Sequence, residues 1–135
     1  MTVTEQLSML GHILAQGDIT TLFQPIVSLS ERRILGYEAL SRGPSNSPLH
    51  SPINLLATAR QAGRLNELEM ACRRSACRRY SQGALRGKLF LNASPETLLE
   101  AAHKPGRTLE LLNAYGIPAG QVVIELTEQT PTDDF

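Results

Sequence analysis

The sequence predicts an α/β fold, and three patterns predict it. Strand-like and helix-like segments alternate after an opening pair of strands. The last strand candidate, Gln121 to Thr127, contains the continuous apolar run Val122-Val123-Ile124 followed by Glu125. A run without alternation suggests a parallel strand buried on both faces. Two helix starts, Ser51-Pro52 and Ser94-Pro95, share the same punctuation: an N-cap serine and a proline at the first helical position. This order fits either an α/β barrel or an open doubly wound sheet.

Taken in chain order, residues 4–16 read as a short amphipathic helix. Leu7, Leu10 and Leu14 recur at spacings of three and four, and Gly17-Asp18 ends the run. Thr21 to Leu29 is a strand candidate. Pro25 within it cannot donate to a ladder, so the strand should lie at an edge or be irregular there. Ser30-Glu31-Arg32 is a polar turn, and Arg33 to Ser41 a second strand, so the two should form an antiparallel hairpin. Gly43 to Ser51, with Pro44, Ser45, Asn46, Ser47 and Pro48, is a surface loop. A helix then runs through Ile53, Leu55, Leu56 and Ala59 to Gly63. A longer one covers Leu65 to Ser81, with Leu65, Leu68, Cys72, Ala76 and Tyr80 inward. On it, Glu69 and Arg73 make a weakly stabilising pair, and Arg73, Arg74, Arg78 and Arg79 read as a solvated outer face. Lys88 to Ala93 is a short strand, Leu89-Phe90-Leu91 ending in Asn92. The helix that starts at Ser94-Pro95-Glu96 breaks at Pro105-Gly106. Another spans Arg107 to Tyr115, with Gly116 just past its end.

Composition bounds the function. The chain has 135 residues, 41% of them hydrophobic, enough for one compact core. Thirteen Lys and Arg balance thirteen Asp and Glu, and there is no Trp. Neither a nucleic-acid polymer surface nor a basic membrane arm fits that balance. The segment Met1 to Ala15 has no Lys or Arg and no continuous apolar stretch, so it is neither a signal peptide nor a membrane span. Cys72 and Cys77 are the only cysteines and read as reduced core or boundary residues, which suits a cytoplasmic protein. His12, His50 and His103 are scattered, without ligand spacing.

One stretch resists a purely structural reading. In Leu35-Gly36-Tyr37-Glu38-Ala39-Leu40-Ser41-Arg42-Gly43, a carboxylate sits in an apolar extended run, where an unpaired charge is costly. Asn92 and Glu125 fall at or near the C-terminal ends of their own strands, as Glu38 does. In a barrel those ends form one face, where active sites are built. Two carboxylates and an amide carbonyl form a hard donor set, suited to Mg²⁺ or Mn²⁺ rather than zinc. Taken singly, each is equally well a hydrogen-bonded polar residue at a strand end.

Four motifs in order give a resemblance. Phe23-Gln24-Pro25-Ile26-Val27, Gly36-Tyr37-Glu38-Ala39-Leu40-Ser41-Arg42, Leu91-Asn92-Ala93-Ser94-Pro95 and Val123-Ile124-Glu125-Leu126-Thr127-Glu128 resemble the EAL domain family of bacterial cyclic di-GMP phosphodiesterases. The match is to its N-terminal half. The resemblance implies a TIM-type (β/α) barrel portion, roughly the first half, opening with an antiparallel β-hairpin. Residues 1–19 would lead into it and residues 20–135 would be the N-terminal part of the domain. It further implies that Glu38, Asn92 and Glu125 ligate metal, with Glu38 catalytic. Arg42 would hold a phosphate of cyclic di-GMP, and Gln24 and Leu40 would line the substrate groove. The implied reaction opens cyclic di-GMP to linear pGpG with two divalent ions, Mg²⁺ or Mn²⁺. The alternative is a non-catalytic EAL-like module that binds the nucleotide or a protein partner.

The family's later elements are expected after position 135. Asp133-Asp134-Phe135 imitates its Asp-Asp-Phe-Gly strand end, but no apolar strand precedes it. It reads instead as the opening of the next helix, with aspartates suited to the helix dipole. A half barrel leaves strand edges and apolar faces uncovered. The chain is therefore expected to associate, as a homo-oligomer or with a further domain, or else to arrange itself unlike a barrel half.

Overall fold

The computed structural model describes residues 1–83, 85–98 and 106–127. Helix α1, Val3–Gln16, opens with a capping box: Thr2 accepts from the Glu5 amide, and Glu5 accepts from the Thr2 amide. It closes on Gly17 in the left-handed region, with φ 66°. Strands β1, Thr20–Ser28, and β2, Arg33–Arg42, form the expected antiparallel hairpin, whose register shifts between Ile26 and Val27 just after Pro25. A 3₁₀ turn at Pro48–His50 leads into α2, Pro52–Ala62, and then α3, Leu65–Gln82. Strand β3, Lys88–Ala93, is followed by α4, Pro95–Leu98, then α5, Arg107–Ala114, and β4, Val122–Leu126.

The sheet order is β1-β2-β3-β4, antiparallel at the first pair and parallel at the next two. The strand carrying Pro25, expected at an edge or irregular there, is an outer strand of the described sheet and is irregular just after Pro25. Side chains alternate between the faces of a strand. One face of the sheet, through Ala39, Leu89 and Leu91, packs with Ala76, Cys77, Leu112 and Ile117. A second cluster, which includes Leu10, Ile13, Leu49, Leu55 and Leu68, joins α1, α2 and α3 beside it.

Two sequence expectations are corrected here. Strand β4 is parallel, as its apolar run suggests, but it is not buried on both faces: Ile124 is 46% and Leu126 61% exposed. It is the last strand of the described sheet, so one of its edges has no strand beside it. Arg73 does not join the solvated face of α3. It is 4% exposed, while Arg74, Arg78 and Arg79 do face solvent. The expected helix opening at Asp133-Asp134-Phe135, and the break at Pro105, lie outside the described residues.

Burial also sets the chemistry of the two thiols. No disulfide joins Cys72 and Cys77, and desolvation pushes each from the ordinary 9.0 up to about 11. For an acid whose folded pKa is raised, the neutral form is favoured in the fold. Its contribution to stability is complete below the unfolded pKa and is lost as pH rises through the folded one. Urea midpoints are therefore expected to fall between about pH 9 and pH 11. Changing both cysteines to alanine should flatten that part of the profile. An unchanged slope would refute the assignment.

Candidate functional site

The face of the sheet turned away from α3 and α5 carries the unusual residues. Glu38 is registered with Phe90, and Asn92 with Glu125. Alternation then places Glu38, Leu40, Asn92 and Glu125 on one face, across three adjacent parallel strands. Gln24 lies directly across the hairpin from Glu38, and Thr20 across from Arg42. Gln24, Glu38, Leu40 and Arg42 therefore also share this face. Gly36 brings β2 close to β3: a Cβ there would overlap the Lys88 carbonyl oxygen and stand 2.8 Å from the Phe90 ring.

Side-chain contacts tie β2, β3 and the residue just past β4 together at the site. The Asn92 amide nitrogen donates to Glu38 Oε2 at 3.1 Å and approaches the Ala39 carbonyl oxygen at 3.5 Å. The Thr127 hydroxyl donates to Asn92 Oδ1 at 3.0 Å. Glu125 Oε1 is buried and accepts no hydrogen bond among the described residues. A carboxylate oxygen deprived of both water and donor is costly unless a cation meets it. Together with the hard oxygens of Glu38 and Asn92, this fits a divalent Mg²⁺- or Mn²⁺-type ion. Among the described residues no three His, Cys, Asp or Glu side chains gather into a metal group, so the donor set here is two carboxylates and one amide. The Arg42 guanidinium is half-buried and makes one long contact, 3.4 Å, to the Ser41 carbonyl oxygen. That leaves most of its donor fork uncommitted among the contacts seen.

Behind the strand ends lies a cavity of about 100 Å³, lined in part by Leu40, Leu68, Cys72, Asn92 and Thr127. Its wall includes a buried polar cluster that sequence reasoning reduced to a surface pair. Glu69 accepts from the Ser94 amide at 3.1 Å, the Ser94 hydroxyl at 2.5 Å, the Thr97 hydroxyl at 3.1 Å and Arg73 Nη2 at 3.2 Å. Arg73 also reaches Thr108 at 3.2 Å. The cluster clamps the chain just after Asn92 onto α3, which fixes where β3 ends. One signal was present: Glu69 lies four residues after Leu65 and three before Cys72, on the inward stripe of its helix. Thr127 carries no signal in the sequence beyond its place in the fourth motif.

The EAL domain family model matches residues 6–135. The chain belongs to the EAL domain family. It is 33% identical over 124 residues to the probable cyclic di-GMP phosphodiesterase PdeI of Escherichia coli K12, covering 87% of this chain and 16% of PdeI. It matches the Klebsiella pneumoniae protein BlrP1, solved as a manganese/cyclic di-GMP complex, with TM-score 0.68 and 27% identity, over 82% of this chain and 28% of that one. The EAL domain of Xanthomonas citri FimX, in complex with cyclic di-GMP, aligns with TM-score 0.75 and 20% identity over 93% of this chain and 50% of that one. The FimX likeness shows the fold. The chain thus spans half of that solved EAL domain and a much smaller share of PdeI. Its four strands with their opening antiparallel hairpin are part of the α/β barrel of EAL domains, not an unrelated arrangement.

Proposed function

We propose that this EAL chain supplies one part of the active site of a cyclic di-GMP phosphodiesterase, which hydrolyses the cyclic dinucleotide to linear pGpG. The carrying observation is the placement of Glu38, Asn92 and Glu125 on one face, with a buried oxygen of Glu125 left unpartnered among the described residues. Glu38, Asn92 and Glu125 would hold a divalent ion, Mg²⁺ or Mn²⁺, and Glu38 is the residue on which catalysis most depends. The bound ions supply activation of a water and stabilisation of the leaving oxygen in an in-line displacement. Arg42 presents a guanidinium fork to a phosphate of the substrate. Gln24 and Leu40, beside Glu38 on the same face, line the groove. Two thiols kept apart from a disulfide suit a reducing, cytoplasmic setting. Leu22, Ile124 and Leu126, all exposed, favour association with a further domain or a second copy.

Calorimetric titration of cyclic di-GMP in the presence of Mn²⁺, beside Glu38→Ala, tests this reading. Metal-dependent binding is expected for the native chain, with at least about a tenfold loss in the variant. Metal-independent binding that survives Glu38→Ala would favour a non-catalytic nucleotide-binding module. No binding with or without metal would overturn the assignment of the nucleotide to these residues.

A further inference from the structure

We infer that Thr127 is a positioning residue that allows the Asn92 carboxamide to reverse when a divalent cation binds. This rests on the metal reading above and deepens it. As it stands, the amide nitrogen of Asn92, not its oxygen, faces Glu38 Oε2 and the Ala39 carbonyl. Physical chemistry requires that orientation without a cation. Turned over, Asn92 Oδ1 would stand against a carboxylate and a carbonyl oxygen with no proton or cation between them. To ligate a metal beside Glu38, however, the carboxamide must present its oxygen. The amide therefore has to turn about its terminal bond, which exchanges its nitrogen and oxygen in place.

Whatever holds the other end must accept both orientations. A backbone N–H there would lock the oxygen away from Glu38, and a carbonyl would lock the nitrogen away. A hydroxyl donates and accepts. Thr127 Oγ1 donates to Asn92 Oδ1 at 3.0 Å and can accept from the amide nitrogen once the group reverses. Its place is held by its own backbone, whose N–H donates to the Ala93 carbonyl at 2.9 Å, and by the restricted χ1 of a β-branched side chain.

The test compares Mn²⁺ affinity by calorimetry in the native chain, Thr127→Val, Thr127→Ser and Glu38→Gln. Valine keeps the shape and removes the hydroxyl, and is expected to weaken Mn²⁺ binding by about 10–100-fold. Serine keeps the hydroxyl and should restore it. In parallel, the Asn92 side-chain NH₂ resonances should move on adding diamagnetic Mg²⁺ to the native chain and to Thr127→Ser. That readout follows the amide itself rather than overall stability. Native-like Mn²⁺ affinity in Thr127→Val, with binding abolished in Glu38→Gln, would overturn the role of Thr127 and leave the metal site standing. Failure of Thr127→Ser to restore affinity would also overturn it. Equal affinity in the native chain and Glu38→Gln would remove the metal reading, and the inference with it.

Discussion

Replacing Glu69 with alanine is expected to lower the stability of the fold by about 3–5 kcal/mol. The side chains of Glu69 and Arg73 are 8% and 5% exposed, so neither charge is well hydrated. A buried ion pair gains little net stability over an apolar pair of the same shape, because desolvation offsets the attraction. Removing one partner is a different matter. Arg73 would keep its charge in the interior, where its Nε already has no hydrogen-bond partner among the described residues. The Ser94 amide would lose its acceptor, the Ser94 hydroxyl would keep only a long 3.5 Å contact to the Thr97 hydroxyl, and Thr97 would keep its bond to the Ser94 carbonyl. Against a typical total of about 5–15 kcal/mol, this loss brings a single domain close to unfolding. Glu69→Gln keeps an acceptor for Ser94 and should cost less. Changing Glu69 and Arg73 together to apolar residues should recover part of the loss, but not the Ser94 contacts. Urea denaturation of the three variants measures this. A Glu69→Ala variant within about 1 kcal/mol of the native chain would mean that the pair is hydrated after all.

The second large effect is expected at Gly36, whose replacement by alanine should cost at least about 1–3 kcal/mol, the range for forcing extra atoms into a packed site. The cause is close approach. The added methyl group would collide with the Lys88 backbone, which cannot swing aside as a flexible side chain can. Gly36 and Lys88 are direct partners in the parallel ladder, two residues before Glu38 and four before Asn92 on their respective strands. Parting the strands there should lengthen the 3.1 Å contact between Glu38 and Asn92 as well. The variant should therefore lose stability in urea and Mn²⁺ affinity together. Loss of stability with Mn²⁺ affinity intact would show that the site tolerates separation of β2 from β3.

Local patterns were enough for most of the architecture. Pro25 predicted an edge or irregular strand because it lacks an amide proton, and β1 is an outer strand of the described sheet with a register shift just after Pro25. Gly17, Gly63, Ser51-Pro52 and Ser94-Pro95 marked helix ends, because caps and breakers act within a few residues. Asn92 and Glu125 were legible for the same reason, each next to the last residue of its short strand, whereas Glu38 stands out as a charge inside an apolar run, four residues before β2 ends. Alternation and a parallel register then bring them to one face. What lay beyond the sequence were relations between elements far apart in the chain. Glu69 looked like half of a helical surface pair, since its four donors come partly from Ser94 and Thr97, 25 and 28 residues away. Arg73 was assigned to solvent with its basic neighbours because composition cannot show which side of a helix is covered. The exposure of Ile124 and Leu126 depends on what lies beside β4, not on their own apolar character. Which atom of Asn92 faces Glu38, and that Thr127 reaches its other end, only the tertiary structure decided, because hydrogen-bond direction is set by neighbours that folding brings together.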